Sequence, residues 1–217
     1  MKKFFKNNGL TIVLIVAFLG SMLGMWISGW HQENAELASH GLPSMSLLAY
    51  LKDESFLSAL FENWESEWLQ MCFYVTLTAL LFQKGSAESL DPDSAEDAAS
   101  DTSSRDTYPA WMRQSYILRW IYRYSLGLAL FFLFVTSFIG HLVASHASHN
   151  SQAAMHDGPA RTLIEHLVSS QFWFESFQNW QSEFFSTAML VVLSIYLRFK
   201  GSPESKPVSA SDTETGA

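Results

Sequence analysis

The sequence predicts an all-α membrane protein of four transmembrane helices, arranged as two tandem helix-loop-helix repeats of parallel orientation. Three observations predict this fold class: four long apolar stretches almost without charge, an internal repeat that pairs them, and a one-sided distribution of Lys and Arg. Hydrophobic residues make up 48% of the 217-residue chain, and charged residues only 16%. Soluble domains carry about 25% charged residues, so the composition favours a membrane protein.

The first apolar stretch, residues 7–30, carries no formal charge. At about 1.5 Å per residue, a helix of this length exceeds the roughly 30 Å hydrocarbon core of a bilayer. We therefore predict a first transmembrane helix at about 10–30. Lys2 and Lys3 before an apolar run also resemble a secretory signal peptide, but residues 25–30 lack a small-residue cleavage site, and we expect the segment to be retained.

An internal repeat organises the rest of the chain. A displacement of 116 positions aligns residues 24–89 with 140–205 without a gap, and 21 of the 66 pairs are identical. An internal duplication is the economical explanation. Both copies contain two apolar stretches, so each is a hairpin of the same orientation. Parallel repeats of this kind predict a pseudo-two-fold axis along the membrane normal.

The repeat sets the predicted boundaries. The first copy covers 1–84, with helices at about 10–30 and 56–83 and an outer loop at 31–55. The second copy covers 113–200, with helices at about 120–145 and 172–198 and an outer loop at 146–171. We expect short interfacial helices near 47–51 and 163–167.

Small and acidic residues dominate 85–112 and 201–217, which predicts a disordered cytoplasmic linker and a disordered tail. Lys84-Gly85 and Lys200-Gly201 are predicted to end the second and fourth helices, because a cation complements the helix dipole and glycine tolerates a left-handed cap.

The basic residues predict the orientation. Eleven of the 13 Lys and Arg lie on the side of the termini and linker, and only Lys52 and Arg161 on the other. By the positive-inside rule both termini are cytoplasmic, in a multi-pass protein of the bacterial inner membrane. The net charge of −8 argues against nucleic acid as a partner. The expected partners are the lipid bilayer and a second copy or another membrane protein. Cys72 is the single cysteine, which excludes an internal disulfide.

Polar residues recur at helical spacing on the second and fourth helices. A polar stripe at membrane depth should face protein or water rather than lipid. His141 on the third helix is predicted at a similar height. We therefore expect a polar cluster between the repeats, with interfacial anchoring of each glutamate as the alternative. Its predicted members are Asn63, Ser66, Glu67, Gln70, His141, Asn179, Ser182 and Glu183.

Six of the seven histidines fall in or near the predicted outer loops, which raises the question of a metal site. The candidate ligands are His40, His146, His149 and His156, although only His40 and His156 recur in both copies. Solvated loop histidines are the simpler interpretation. The sequence has no nucleophile motif, phosphate-binding loop or nucleotide motif, so it predicts no cofactor and favours a protein that is not an enzyme.

The chain resembles a family of uncharacterised bacterial inner-membrane proteins. The resemblance is carried by a His-Gly-x-Pro turn at 40–43 and a Phe-Glu-Asn-Trp-Glu-Ser-Glu signature at 61–67, with Lys-Gly-Ser-Ala-Glu-Ser at 84–89. In the second copy Gln178 and Gln181 replace the glutamates that flank Asn-Trp. The resemblance implies a four-helix membrane topology and no particular activity.

These observations leave three functions open. The first is a non-catalytic envelope component. The second is an oligomeric proton, cation or small-solute channel or transporter that uses Glu67 and Glu183. The third is a metal-assisted membrane enzyme that uses the outer histidines.

Overall fold

The computed structural model describes residues 2–92, 108, 111 and 115–216, and within these residues the regular structure is helical, without strands. The helices are α1 Lys2–Ser39, α2 Leu47–Tyr50, α3 Glu54–Thr78, α4 Tyr116–Arg123, α5 Ser125–Met155, α6 Leu163–Leu167 and α7 Ser170–Tyr196. The all-α prediction is thus confirmed for the described part. Most of the predicted linker lies outside it.

The chain divides into two compact units. Unit 1 comprises Met1–Leu60 and Gly140–Leu167, and unit 2 comprises Phe61–Ile139 and Val168–Ala217. In unit 1 the rings of Tyr50 and Phe56 are buried against each other, with centroids 5.4 Å apart. In unit 2 the buried Phe172 packs edge-to-face on Phe138 at 5.5 Å. Each unit therefore has its own small aromatic core.

Two of the described helices, rather than the predicted four, are long and apolar enough to cross a membrane. These are Lys3–Ser39 and Ser125–Met155, whose most apolar 18-residue windows have mean hydropathies of 2.3 and 2.2. The helices α3 and α7 are long enough but carry acids and amides over their first four turns. Their uncharged parts are short, because α3 ends at Thr78 and α7 at Tyr196, before the predicted ends.

Many apolar side chains of α1 and α5 are exposed. None of the most apolar 18-residue window of α1 is buried, and only 17% of that of α5. Leu10 and Phe132, for example, are 76% and 69% exposed. An apolar helix in the core of a soluble protein would be mostly buried.

The two short helices begin with matching caps. Ser46 Oγ accepts a hydrogen bond from the Ala49 N–H at 3.2 Å, and Thr162 Oγ1 accepts one from the Glu165 N–H at 3.3 Å. Such caps satisfy N–H groups that have no partner within the helix. Helices α2 and α6 thus occupy the segments near 47–51 and 163–167 where the sequence predicts them.

An asparagine ties each outer loop to the end of the preceding helix. Asn34 accepts from the Met45 N–H at 2.7 Å and donates to the Met45 carbonyl at 3.2 Å. Asn150 makes the same two bonds with Arg161, at 2.8 and 3.0 Å. Both residues of the second pair lie 116 positions after those of the first, so the aligned segments have the same local structure here.

The segments after α3 and α7 form turns rather than helix caps. Gly85 and Gly201 have φ angles of +88° and +86°, the left-handed conformation that glycine tolerates. The turns are closed by equivalent serines: Ser89 Oγ accepts from the Gln83 N–H and Ser205 Oγ from the Phe199 N–H, each at 2.8 Å. These bonds engage N–H groups that a continuing helix would donate to the carbonyl four residues before, so the backbone at Gln83 and Phe199 is not helical.

Residues 201–216, for which the sequence favours disorder, are folded as a series of turns. Lys206 is buried and donates hydrogen bonds to the carbonyls of Ser211, Asp212 and Glu214, at 3.0 to 3.3 Å. The Gly216 N–H donates to the Ser86 carbonyl at 2.9 Å. The hydrogen bonds from the buried Lys206 ammonium group stabilise these turns, which contain few apolar residues.

Candidate functional site

The signature residues of α3 meet those of α7 inside unit 2. The Trp180 indole N–H donates to Glu65 Oε1 at 2.8 Å, and the Asn179 amide donates to Glu62 Oε1. Glu65 is fully buried, with 0% exposure. A buried carboxylate is expensive unless it is hydrogen-bonded, so these contacts fix α3 against α7.

A third hydrogen bond shows the direction of the two helices. The Gln70 amide donates to Thr187 Oγ1, and the two residues are 117 positions apart, as Glu62 and Asn179 are. Contacts that advance together along both helices require α3 and α7 to be parallel. The paired residues are also nearly equivalent in the repeat, which is displaced by 116 positions.

The serines of the polar stripe are occupied within their own helices. Ser66 Oγ donates to the Asn63 carbonyl and Ser182 Oγ to the Asn179 carbonyl, both at 2.8 Å. Ser66 is buried, whereas Ser182 and Asn63 are exposed. Hydroxyls bonded in this way satisfy the preceding turn of the helix and are not presented to a ligand.

The two repeated glutamates lie near each other. Glu67 is exposed and Glu183 is half-buried, and the negative charge of Glu67 acts on the Glu183 carboxyl. Seven of the eight predicted cluster members belong to unit 2. His141 is fully buried and belongs to unit 1. The cluster as a single functional site therefore stays a prediction.

Sequence reasoning missed Glu62 and Glu65, the acids that bind Asn179 and Trp180. The signal was present in the mismatch between the two copies, because Gln178 and Gln181 stand at the equivalent positions of the second copy. Gln181 is exposed and donates to the Gln178 carbonyl of its own helix at 3.1 Å. Glu62 and Glu65 of the first copy thus accept hydrogen bonds from Asn179 and Trp180 of the second.

Two of the candidate metal ligands meet in unit 1. The rings of His40 and His156 contact each other edge-to-face, with centroids 4.8 Å apart, and both side chains are exposed. Nδ1 of His40 also lies 3.0 Å from the Glu36 carbonyl. Among the described residues, no group of three or more His, Cys, Asp or Glu is placed to hold a metal ion.

His146 and His149, the other two candidates, lie beside a histidine that the sequence did not single out. Their ring centroids are 5.8 and 5.6 Å from that of the buried His166. His146 Nε2 donates to the Arg161 carbonyl at 2.7 Å. At the equivalent positions of the first copy, Trp30 Nε1 donates to the Met45 carbonyl at 2.8 Å. His146 therefore performs the loop-holding role of Trp30.

A cleft along α3 and α7, which we call the α3–α7 cleft, is one of the hollows of unit 2. Its volume is about 430 Å³, within the range of small-molecule sites. The walls are mostly apolar, and polar groups stand at the two ends. The apolar wall residues include Phe73, Leu77, Leu81, Phe82, Phe184 and Val191, and the polar residues include Gln70, Thr187, Tyr74, Glu88 and Ser89.

One end of the α3–α7 cleft holds a carboxyl pair. The Tyr74 hydroxyl donates to Glu88 Oε2, and the Glu204 carboxyl lies beside Glu88. Burial raises the pKa of Glu88, and the charge of Glu204 raises that pKa further, whereas the hydrogen bond from Tyr74 opposes the change. This end of the cleft therefore favours a proton or another cation.

These features define an all-α protein that carries two apolar helices of membrane-spanning length. The chain belongs to the family of the domain of unknown function DUF6766, which it matches over residues 1–217. The expectation of an uncharacterised family is thus confirmed. No curated protein and no solved structure matches the chain.

Proposed function

We propose that the protein is a non-catalytic component of the bacterial inner membrane, with four transmembrane helices, two parallel hairpin repeats and both termini in the cytoplasm. The observation that carries this proposal is the outward-facing apolar surface of α1, none of whose most apolar window is buried. Each exposed apolar Å² in water costs roughly 25 cal/mol. Lipid removes this cost, and it leaves the helical backbone fully hydrogen-bonded.

The mutual contacts of α3 and α7 support their place within the membrane as inner helices. Their acids and amides would be costly against lipid, but Glu65 and Glu62 receive hydrogen bonds from Trp180 and Asn179. The remaining apolar residues of both helices are then free to face lipid. A helix of this kind fails a hydropathy criterion although it is suited to a protein-facing position in the membrane.

The equivalent hydrogen bonds of the aligned segments support the duplication. The loop asparagines Asn34 and Asn150 and the turn serines Ser89 and Ser205 each bond the same backbone groups in both copies. Such agreement is expected if one hairpin was duplicated and both copies kept their orientation.

The non-catalytic role is supported by what the signature residues do. The hydrogen bonds of Asn179, Trp180 and Glu65 hold α3 against α7. The tryptophans of α1, α3 and α7 near the predicted outer side would then provide a contact surface for a second copy or another membrane protein, since Trp is favoured both at interfaces and at the membrane surface.

Cysteine labelling in intact cells tests the topology. Cys72 is first replaced by serine, and single cysteines are then placed at two exposed positions, Ser44→Cys in an outer loop and Ser209→Cys in the tail. A membrane-impermeant maleimide should label position 44 in intact cells and position 209 only after permeabilisation. Labelling of position 209 in intact cells would contradict the proposed orientation, and recovery of the protein in the soluble fraction would contradict its place in the membrane.

The nearness of Glu67 and Glu183 favours a second candidate, a proton or cation pathway through an oligomer. Ion flux into proteoliposomes, measured with the intact chain and with Glu67→Gln and Glu183→Gln, decides between the two. Flux that disappears in both variants but persists in Glu214→Gln, an exposed tail acid, would establish the pathway. If flux does not exceed that of protein-free vesicles, the pathway is excluded and the non-catalytic role is retained.

A further inference from the structure

At the acidic end of the α3–α7 cleft, one oxygen of Glu88 has no N–H or hydroxyl donor. Glu88 Oε2 accepts from the Tyr74 hydroxyl, whereas Glu88 Oε1 is buried and receives no hydrogen bond from an N–H or hydroxyl group of a described residue. The neighbouring Glu204 is a carboxyl, which can share a hydrogen bond with Glu88 only when one of the two acids is protonated. Glu88 is the one carboxylate among the residues that line the cleft, and these described residues include no Lys, Arg or His. A donor from outside the protein would complete the coordination of this carboxyl.

The apolar walls of the cleft point to the rest of such a ligand. Phe73 and Leu77 of α3 face Phe184 and Val191 of α7 along the cleft. A volume of about 430 Å³ with one acidic end suits one alkyl chain with one cationic head. The charge is complementary, because Glu204 adds a second carboxyl beside Glu88.

We propose that the α3–α7 cleft binds a single-chain amphiphile with a primary ammonium head, whose ammonium group donates hydrogen bonds to Glu88 and whose alkyl chain packs between α3 and α7. An ammonium group has three N–H donors and no acceptor, which fits a carboxylate oxygen that has none. This binding goes beyond the proposed non-catalytic role, because Glu65 and Glu62, which hold α3 and α7 together, do not line the cleft.

Binding is coupled to a proton. Burial and the neighbouring Glu204 charge raise the pKa of Glu88, so the empty site keeps its proton to a higher pH than an ordinary glutamate does. The incoming ammonium group replaces that proton, and affinity should therefore increase as the pH rises through the pKa of Glu88. The groups that face Glu88 are Tyr74 from α3 and Glu204 from the tail, and the residues of α7 that line the cleft are not ionisable.

The test uses the full chain in phosphatidylcholine nanodiscs and three probes with the same alkyl chain: dodecylamine, dodecanol and dodecyl sulfate. Binding is measured by titration calorimetry after subtraction of the signal from empty discs. We expect dodecylamine to bind about tenfold or more tightly than dodecanol, as for a charge-assisted hydrogen bond, and dodecyl sulfate to bind more weakly than either.

Three variants separate the head from the chain. Glu88→Gln should abolish the preference for the amine and its pH dependence. Glu214→Gln changes an exposed tail acid that does not line the cleft, and should keep the preference. Ala188→Phe should fill the cleft and weaken the amine and the alcohol together.

Equal binding of the amine and the alcohol to the unmodified chain would overturn the proposal, and so would a preference that survives Glu88→Gln. Binding that Ala188→Phe does not change would show mere partition of the probes into the disc. If Glu88→Gln does not fold, the Ala188→Phe variant and the three-probe comparison still decide the question. Neither result depends on the cysteine-labelling test of topology.

Discussion

Tyr50 and His166 occupy equivalent positions, 116 residues apart, and each fills the space beside a small residue of the preceding long helix. A Cβ atom at Gly29 would overlap the Tyr50 hydroxyl, so a larger residue there would displace the tyrosine ring. At the position equivalent to Gly29 stands Ser145, whose hydroxyl lies 2.9 Å from His166 Nε2. The second copy therefore pairs the shorter side chain of His166 with Ser145, where the first copy pairs the longer side chain of Tyr50 with Gly29.

This exchange predicts a compensating pair of substitutions. His166→Tyr alone should destabilise the protein by about 1–3 kcal/mol, because the tyrosine hydroxyl would overlap the Ser145 side chain in a packed site. Ser145→Gly in the same chain should recover most of that loss by recreating the first-copy pair. Chemical denaturation in detergent micelles, followed by circular dichroism, measures the four members of the cycle. Simple additivity of the two single changes would contradict complementary packing.

The hydrogen bond between Trp180 and Glu65 predicts that Trp180 contributes more to stability than Trp64, although the two occupy equivalent positions of the repeat. Trp180→Phe keeps the ring contacts but removes a donor from a fully buried carboxylate, and should cost about 1–3 kcal/mol of unfolding free energy. Trp64→Phe is the matched control, because the position equivalent to Glu65 is Gln181, which is exposed. Equal losses for both variants would show that the indole–carboxylate bond contributes nothing measurable.

Local features of the fold were largely predictable from the sequence. The short helices α2 and α6 lie where they were predicted, each after a cap, Ser46 and Thr162, and Gly85 and Gly201 have the left-handed conformation expected of them. The ends of α3 and α7 differed from the prediction. α3 ends five residues and α7 two residues before the predicted end. The turns that follow are closed by serine acceptors six residues along the chain, which are not evident in hydrophobic periodicity.

Contacts between distant segments were not predictable. The polar stripe identified α3 and α7 as helices that require a protein neighbour, but their relative register decides that Trp180 meets Glu65 rather than Glu67. His166 was interpreted as a loop histidine and is buried, because its role depends on Ser145 across the loop. Such pairings depend on tertiary structure and leave no periodic signal.

The turn after α3 predicts a difference between two equivalent glycines. Both have positive φ, so alanine at either position should cost about 1–2 kcal/mol. A Cβ atom at Gly85 would also lie 2.6 Å from the Asp212 carbonyl oxygen, whereas a Cβ at Gly201 meets nothing within 4 Å. Gly85→Ala should therefore be the more destabilising change and should release the tail.

Limited proteolysis and hydrogen exchange of residues 201–216 measure that release. Faster cleavage and faster exchange are expected in Gly85→Ala and not in Gly201→Ala. Identical tail protection in the two variants would contradict the packing of Asp212 on the turn.

The cap of α6 predicts a local acid transition. The Thr162 N–H and hydroxyl donate to Glu165 Oε2 at 2.7 and 2.9 Å, and these bonds lower the pKa of Glu165 below its ordinary value. A lowered pKa in the folded state means that the cap is stabilised above the ordinary pKa of glutamate, and that this stabilisation is lost as the pH falls through the lowered pKa. Carboxyl NMR titration should show the Glu165 pKa rising part of the way towards its ordinary value in Thr162→Ala, because the backbone N–H bond remains there, and staying low in Thr162→Ser. Amide exchange in α2, where Ala49 replaces the acid, should not respond to the same change of pH, and an unaltered Glu165 titration in Thr162→Ala would show that the hydroxyl bond contributes nothing to the lowered pKa.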